Sequence, residues 1–339
     1  MLVDVFTVTY GDCAAVAPLL QSLLVQSAPL GNVWIWHNGP QPFNRRVLLP
    51  FEELQVQVHE TGENLGYGEG INRLFDLSKA DVAVVVNPDV TLDSKCVNCL
   101  ANAASSTSGS VIVGGLLIDH DNQVNAFAMS LTSDGLGINL DRGTPSVAFT
   151  SVNADLASRM AVSPSGALFA VNRIAWMAMG GGPLFVGSLF LYLEDVALGL
   201  RVRRLGGNMV FCSDAKGVHR YSDSTGRRSA LKLFYVERNR LWLQRALGGR
   251  ALALATMPFT LLRFSAYALQ LARYKARDQG KSGQGGSKDL VGALLRAWRD
   301  GFLERLPPDL VPYLGPNRAG VSLKQYQAPF IAQLRDPTA

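Results

Sequence analysis

The chain has 339 residues, of which 48% are hydrophobic and 17% charged, a composition that predicts one large folded domain or two smaller ones and excludes an intrinsically disordered protein. Its four cysteines are too sparse for a disulfide framework, which favours a reduced, cytosolic setting. The net charge of +5 is unevenly distributed, because residues 220–305 carry a net charge of +11 and the rest of the chain carries −6.

The first hundred residues alternate between apolar strands and amphipathic helices. The predicted strands are Val3–Thr9, Val33–His37, Leu54–Val58 and Asp81–Val86. One helix follows Asp12, which can cap it. A second helix follows the loop 64–68, and a third begins at about Ser94. This order predicts an α/β fold with a doubly wound, mostly parallel central sheet and right-handed crossovers. Ligands of such sheets bind beyond the carboxyl ends of the strands.

The second half of the chain mixes strands and helices. Strands are predicted at 110–118 and 124–131, followed by a loop-like segment at 132–148 that could form a flap. A helix is predicted from Glu194 to Leu205, where Gly206-Gly207 ends it. A short strand ending at His219 and a helix over 229–247 complete the predicted fold.

An apolar stretch runs from residue 251 to residue 272 and is long enough to suggest a membrane span. Pro258 and Arg263 interrupt it, and a central arginine costs about 2.5–3.5 kcal/mol on insertion scales. The sequence therefore favours a helix or hairpin lying in the plane of a membrane, and the alternative is an ordinary buried helix or a dimer interface. The basic residues that could hold it there are Arg245, Arg250, Arg273, Lys275 and Arg277. A flexible linker at 278–288 and an amphipathic helix at 289–304 follow.

Asn87-Pro88-Asp89 stands at the tip of the predicted central strand. A carboxylate there suits a hard divalent cation, Mg²⁺ or Mn²⁺, which could bridge the phosphates of a nucleotide diphosphate. The alternative is that Asp89 only caps the following helix.

Glu194-Asp195 opens the helix that follows the apolar segment 189–193. A carboxylate in such a setting can take the proton of an attacking hydroxyl group. Arg201 lies two turns from Glu194 on the same helix face. The alternative is that the two acids only complement the helix dipole.

Three further signals are weaker on their own. His219 could complete a metal's coordination or be a surface histidine. The glycine loop Asn64–Gly68 could approach phosphates, although neither a GxGxxG motif nor a P-loop lysine is present. The CxxC of Cys96 and Cys99 has no second pair, which argues against a zinc site.

The order of these motifs resembles that of family 2 glycosyltransferases with the GT-A fold, in the rhamnosyltransferase- and galactofuranosyltransferase-like branch. The resemblance covers about residues 1–245. The matching motifs are Asn38-Gly39, Asn64-x-Gly66-x-Gly68-x-x-x-Asn72, Asn87-Pro88-Asp89-Val90, Ser165-Gly166-Ala167, Gly180-Gly181, Leu191–Asp195 with Arg201, Gly206-Gly207, His219 and Arg238-Asn239.

The resemblance implies a role for each matching position. Asp89 looks like the last acid of the DxD-type metal motif, with Asn87 in place of its first, and His219 like a further metal ligand. Asp195 looks like the catalytic base, beside Glu194 and Arg201. The positions that would bind the nucleotide or donor sugar are Thr9, Tyr10, His37, Asn38, Asn64, Gly66, Arg73, Asn87, Asp89, Gly166 and Ala167.

Three departures from the family pattern bear on substrate recognition. His37 stands where relatives place an aspartate that contacts the base, and it cannot accept the same pair of hydrogen bonds. Residues 181–186 (GGPLFV) replace Gly-Gly-Phe-Asp-Glu, and Ala197 replaces a second acid.

The sequence therefore predicts an inverting, metal-dependent glycosyltransferase of bacterial surface polysaccharide or lipopolysaccharide synthesis. A dTDP- or UDP-sugar donor and a glycan or polyprenyl-linked acceptor are expected, with no nucleic acid partner; homo-oligomerisation stays open. The transferase domain is expected over 1–245 (donor half 1–118, acceptor half 119–245), and a helical, basic, membrane-associating region over 246–339. The location would be cytoplasmic, at the inner face of the cytoplasmic membrane. The alternatives are a nucleotidyltransferase, disfavoured because Thr9–Asp12 is not a basic glycine loop, and an inactive membrane-associated sugar-binding or scaffold protein.

Overall fold

The computed structural model describes residues 1–106, 110–219, 230–265 and 287–328. The chain divides into two compact units. The first comprises residues 1–129, 139–221 and 313–321, and the second comprises 130–138, 222–312 and 322–339. The boundary at residue 245, between the predicted transferase domain and the predicted C-terminal region, stays a prediction.

A mixed but mostly parallel sheet organises the first unit. Among the described residues it has nine strands, in the order β3-β2-β1-β4-β11-β6-β12-β5, with β7 paired to β6. Only β5, β7 and β11 run antiparallel to their neighbours. The strands are β1 Val3–Thr9, β2 Asn32–His37, β3 Gln55–Glu60, β4 Val82–Val86, β5 Val90–Leu92, β6 Ser110–Ile118, β7 Val124–Ala126, β8 Ala128–Leu131, β9 Gly137–Asn139, β10 Ser163–Pro164, β11 Leu168–Asn172 and β12 Asn208–His219. A smaller sheet has the order β10-β8-β9.

Helices cover both faces of the main sheet. They are α1 Ala17–Leu24, α2 Tyr67–Leu77, α3 Cys96–Ser106, α4 Ser151–Met160, α5 Arg173–Met179 and α6 Glu194–Arg204. Successive strand residues point to opposite faces, so Val5 packs with α1 and α3 while Phe6 packs with α2, α5 and α6. The predicted doubly wound α/β arrangement is confirmed.

Most predicted elements are found within a few residues of their expected bounds, and Asp12 caps its helix by accepting from the Ala14 N–H at 2.9 Å. Two predictions were wrong. The segment 132–148 contains β9 and a short 3₁₀ turn, Ser146–Ala148, rather than only loop. The strand ending at His219 is twelve residues long because it pairs with β6 along most of its length and with β5 at its end.

The second unit is helical. Its helices are α7 Ala230–Ala255, α8 (residues 257–265), α9 Ser287–Leu303 and the start of α10 Leu310–Leu314. Gly248 and Gly249 leave helical geometry and divide α7 into two helical segments. The first segment therefore ends at residue 247, where the helix predicted over 229–247 was expected to end. Residue 229, residues 266–277 with the predicted membrane-facing Arg273, Lys275 and Arg277, and linker residues 278–286 lie outside the described residues. Residues 287 and 288, predicted as linker, belong to α9.

Charged residues form the centre of this helical unit. Arg263 is 8% exposed and its guanidinium contacts Asp134 at 2.8 Å and Glu237 at 2.6 Å. Arg240, fully buried, pairs with Glu237 at 2.9 Å. Arg245, expected to face a membrane, instead donates to the carbonyls of Gly301 and Glu304. Arg263, inside the predicted membrane segment, and Arg245, which precedes it, are therefore structural, because the protein interior supplies their partners.

None of the helices in the described ranges combines the length and the hydropathy that crossing a membrane requires.

Candidate active site

The carboxyl ends of β1, β2 and β4 meet at one edge of the main sheet. Thr9 lies beside His37 in the parallel register, and the Asn38 N–H donates to the Thr9 carbonyl at 2.8 Å. β11 runs against β4 with Leu168 opposite Val86, so the residues before β11 reach the same edge. The Asn87 N–H donates to the Ala167 carbonyl at 3.0 Å, which joins the two segments.

His37 is part of the framework of this edge. It is 1% exposed, and its Nε2 lies 2.9 Å from the Gln41 carbonyl, which can only accept. Nε2 therefore carries the proton, and Nδ1 accepts from the Thr9 hydroxyl at 2.9 Å. Gly39 permits this packing, since a Cβ there would stand 2.4 Å from Nε2. Both ring nitrogens of His37 form hydrogen bonds within the protein. The nucleotide-binding roles of Thr9 and His37 therefore stay predictions.

Asn38 anchors the glycine loop. Its side chain donates to the Gly66 carbonyl at 2.8 Å and accepts from the Leu65 N–H at 3.1 Å. Gly66 has φ +82°, and a Cβ at this position would lie 2.4 Å from the Phe190 carbonyl oxygen. Only glycine satisfies both constraints. Asn64 is exposed at the mouth of the loop and its Oδ1 accepts from the Gly66 N–H at 3.0 Å.

Tyr67 links the glycine loop to the segments around Asp195. Its N–H donates to the Phe190 carbonyl at 2.9 Å, and its buried hydroxyl donates to the Gly166 carbonyl at 2.7 Å. The N–H of Gly166 in turn donates to Asp195 Oδ2 at 3.0 Å. Burial raises the pKa of Tyr67 well above its usual value, and the charges of Glu194, Asp195 and Asp89 add to the effect. Tyr67 thus stays protonated, and its hydroxyl donates a hydrogen bond to the peptide group whose N–H binds Asp195.

Glu194 and Asp195 begin α6 after a strained turn. Phe190, Tyr192 and Leu193 all have φ between 65° and 68°, a region that costs non-glycine residues of the order of 1–3 kcal/mol each. Asp195 Oδ1 accepts from the Val196 N–H at 2.7 Å. Backbone strain of this kind is concentrated at functional sites.

Both carboxyl groups are harder to ionise than usual. Burial raises the pKa of Asp195, although the hydrogen bonds from Gly166 and Val196 oppose the shift. Burial and the neighbouring Asp195 charge raise the pKa of Glu194 to about 8. Glu194 Oε2 is buried without a hydrogen-bond partner among the described residues. An acid pair in which Glu194 is buried and Asp195 is partly buried suits proton transfer.

Asp89 and His219 face one another at the end of β12. His219 Nε2 lies 3.3 Å from Asp89 Oδ1, and the two side chains are 12% and 16% exposed. Asn125 Oδ1 lies 2.9 Å from His219 Nδ1. In this amide orientation Nδ1 carries the proton, so the Nε2 lone pair of a neutral ring points toward the carboxylate. An imidazole nitrogen and a carboxylate oxygen converging in this way fit a divalent cation.

In the described part of the chain, Asp89 and His219 do not belong to a group of three or more His, Cys, Asp or Glu side chains that could hold an ion. Substrate phosphates and water can supply further ligands, as in sites where Mg²⁺ is held by few carboxylates and by phosphates.

Three predicted residues lie apart from this constellation. Arg201 is six residues beyond Asp195 and therefore lies roughly 9 Å further along the helix. It donates to the carbonyls of Gly181 and Tyr313. Arg73 is exposed and pairs with Glu69 at 2.9 Å. Tyr10 is 64% exposed. Their catalytic and donor-binding roles stay predictions.

The departures from the family pattern are accommodated in the core. Leu184, Phe185 and Val186 are buried, and the Phe185 ring packs against Tyr67 with centroids 5.9 Å apart. Ala197 is fully buried. Buried apolar side chains therefore occupy the positions at which the family resemblance predicts acids.

Two residues of the site were not singled out from the sequence. Asn125 is a buried amide in a strand of otherwise apolar residues, a detectable signal because buried polar groups need partners. The hydroxyl of Tyr67 gives no comparable signal, since its partner Gly166 is 99 positions away.

No family model matches the sequence. Two proteins of Mycobacterium tuberculosis, from strains H37Rv and CDC 1551, are each 31% identical to the chain over 196 residues. Each is named N-acetylglucosaminyl-diphospho-decaprenol L-rhamnosyltransferase. The alignment covers 52% of this chain and 63% of each relative, less than two thirds of their length.

Two solved structures have the same fold at low sequence identity. GalNAc-T7 with UDP, GalNAc and Mn²⁺ gives a TM-score of 0.54 at 13% identity, covering 71% of this chain and 47% of that one. The mannosyltransferase PcManGT of Pyrobaculum calidifontis, in complex with GDP-Man and Mn²⁺, gives 0.52 at 13% identity, covering 89% and 88%.

Proposed function

We propose that this chain, which is rhamnosyltransferase-like and has the GT-A fold, is an inverting glycosyltransferase that moves a sugar from a nucleotide-diphosphate donor to an acceptor hydroxyl group. The observation that carries the proposal is the Glu194–Asp195 pair, in which Glu194 is buried and Asp195 is partly buried. The pair lies beside the edge of the sheet where ligands of such folds bind. Neither carboxylate forms an ion pair with a described residue, and Asp195 is held in place by two backbone N–H groups.

Asp195 is the general base of the proposed reaction. The acceptor oxygen forms a bond to the anomeric carbon, the bond from that carbon to the nucleotide diphosphate breaks, and the acceptor proton goes to Asp195. The raised pKa of Asp195 brings it closer to the value that makes a carboxylate an effective base near neutral pH. Its two N–H partners fix the direction in which the free lone pairs point.

Asp89 and His219 would hold Mg²⁺ or Mn²⁺. Such an ion, when bound, offsets the negative charge of the diphosphate leaving group. The Asn125 amide oxygen accepts from His219 Nδ1, so that Nε2 would be the coordinating nitrogen. Of the predicted donor-binding residues, Asn64 and Gly66 belong to the glycine loop, and Asn38 anchors this loop at the same sheet edge.

The acceptor is proposed to be a glycan or a polyprenyl-linked sugar. The Mycobacterium relatives are named for a decaprenol-linked acceptor, which supports a lipid-linked substrate here and a peripheral position at the inner face of the cytoplasmic membrane. A dTDP- or UDP-sugar is the proposed donor, for synthesis of a bacterial surface polysaccharide or lipopolysaccharide.

A second candidate is an inactive sugar-binding or scaffold protein of the same fold. It is favoured by the internal use of both His37 ring nitrogens and by the buried apolar side chains at positions where the family resemblance predicts acids. The strained turn before Glu194 argues for a working site, because a scaffold has no use for it.

Calorimetric titration separates the two candidates. UDP, dTDP and GDP would be titrated into the wild-type chain and into Asp89→Ala, with and without Mn²⁺. We expect one nucleotide to bind only with Mn²⁺ and to lose that binding in the variant. Absence of binding for all three under both conditions would favour the scaffold.

A further inference from the structure

Helix α8 is amphipathic in the reverse sense. Its polar residues Thr260 and Arg263 are buried, at 0% and 8% exposure. Its apolar residues Phe259, Leu261 and Leu262 are 44%, 53% and 46% exposed. A helix on the surface of a water-soluble protein normally has the opposite arrangement.

The buried charges hold the helix in this orientation. Arg263 forms hydrogen bonds to Asp134 and Glu237, and Thr260 donates to Asp134 Oδ2 at 3.0 Å. Turning the helix to bury its leucines would remove Arg263 from both carboxylates. Among the described residues, Arg240 would be the remaining cation beside Asp134 and Glu237, and breaking a buried ion pair in this way is strongly destabilising. The outward direction of the apolar side chains is therefore built into the fold of this unit.

We define Phe259, Leu261 and Leu262 as the apolar face. Leu254, near the end of α7, is a further exposed apolar side chain, at 61%. Clusters of exposed large apolar side chains of this kind mark protein or membrane contacts.

The charges along the chain select the contact. Arg250, which precedes the face, is exposed, and residues 264–286 contain four Lys and Arg against one Asp. Two copies of this segment would bring like charges together, whereas an anionic lipid surface complements them. We propose that the apolar face inserts into the headgroup region of an anionic lipid bilayer. The inference rests on the proposed function only for its setting, a lipid-linked acceptor, because binding itself requires neither donor nor turnover.

Vesicle flotation with the full chain tests the proposal. Vesicles of phosphatidylcholine with phosphatidylglycerol would be compared with vesicles of phosphatidylcholine alone, for the wild type and for Leu261→Ser/Leu262→Ser. The matched control is Val152→Ser/Leu156→Ser, which removes two apolar side chains of α4 that are at least as exposed as Leu261 and Leu262 (73% and 54%).

We expect the wild type to float with the anionic vesicles and to be released by added salt. The leucine variant should partition at least about tenfold more weakly, because each exposed leucine contributes apolar area to insertion. The control should behave as the wild type.

Failure to float, or an equal loss in the control, overturns the proposal. So does a wild-type dimer in sedimentation velocity that the leucine variant dissociates, since a second copy would then cover the face. Nucleotide binding by calorimetry is independent of flotation. Loss of nucleotide binding with flotation retained would therefore reject the proposed function alone, and the reverse result would reject only the lipid contact.

Discussion

Two pairs of neighbouring carboxyl groups in the described part of the chain have opposite surroundings. In the helical unit, Asp134 and Glu237 contact Arg240 and Arg263. Burial alone would raise the pKa of Asp134, but the two arginines overcome it and lower the value to about 2. Beside the sheet edge, no cation among the described residues pairs with Glu194 or Asp195, and the pKa of both acids is raised.

The contrast separates a structural charge cluster from a reactive one. A compensated cluster loses stability when one member is removed, because the others stay buried and unpaired. An uncompensated pair costs stability in the free protein and is retained where chemistry needs a poised proton acceptor. Substitutions in the two pairs should therefore affect different measurements.

The largest effect is expected from Asp195→Asn. Removing a general base lowers turnover by about 10²–10⁴-fold. The free energy of unfolding should fall by no more than about 1–3 kcal/mol, because the amide oxygen can still accept from one of the two N–H groups while the other loses its partner. Donor turnover and urea denaturation measure the two quantities. Unchanged nucleotide affinity is the control, and near-wild-type turnover would remove Asp195 from the mechanism.

Glu237→Gln should act on stability instead. Breaking the contacts with Arg240 and Arg263 leaves two guanidinium groups poorly compensated, and the expected loss is about 3–5 kcal/mol in the free energy of unfolding. The control Arg73→Met breaks the exposed pair with Glu69 and should cost about 0.5 kcal/mol or less. Similar losses in both variants would contradict the comparison.

The sequence predicts one pair far better than the other. Adjacent acids at a helix start are visible as Glu194-Asp195, and the sheet edge follows from strand–helix alternation. The charge cluster is not visible, because Asp134 lies 129 positions from Arg263 in a segment expected to be loop. Large distances along the sequence also hide the contacts of Asn125 with His219 and of Tyr67 with Gly166, which are 94 and 99 positions apart. Only the folded chain brings these partners together.

The two pairs should also differ in their response to pH. The pKa of Glu194 rises from 4.5 to about 8 on folding, so the folded state holds a proton that the unfolded state releases in this range. Wild-type stability should therefore fall, relative to Glu194→Gln, as the pH rises from 4.5 to 8, at up to about 1.4 kcal/mol per pH unit.

Asp134 has the opposite sign. Its pKa is lowered from 3.8 to about 2, so its contribution is present above pH 3.8 and is lost as the pH falls toward 2. Denaturation curves of the wild type and of Glu194→Gln at several pH values measure how the Glu194 contribution to stability changes with pH. A constant difference between wild type and variant from pH 4.5 to 8 would show that Glu194 ionises normally.

Asn125→Ala tests the proposed metal site and should have a smaller effect. Without the amide oxygen, His219 can adopt the other tautomer or rotate, and loss of the hydrogen bond that orients a metal-binding histidine weakens metal binding by about 10–100-fold. Mn²⁺-dependent nucleotide binding should weaken accordingly, while binding without Mn²⁺ should not change. Equal weakening under both conditions would point to damaged folding rather than to the metal.

The smallest expected effect concerns the link between Tyr67 and Asp195. Tyr67→Phe removes the hydroxyl that holds the Gly166 carbonyl, a hydrogen bond worth about 0.5–1.5 kcal/mol. The Gly166 peptide then holds Asp195 less firmly, and because that N–H stabilises the carboxylate, the pKa of Asp195 rises further. The acid limb of the pH–rate profile should move to higher pH by about one unit or less.

Tyr313→Phe is the matched control for this prediction. Its buried hydroxyl also donates to a backbone carbonyl, that of Leu184, but it has no link to Asp195. Both variants should lose similar stability, because each loses one buried hydrogen bond. Only Tyr67→Phe should shift the acid limb, since only its partner peptide binds the base. A shift in both variants, or in neither, would mean that Tyr67 supports the fold without setting the basicity of Asp195.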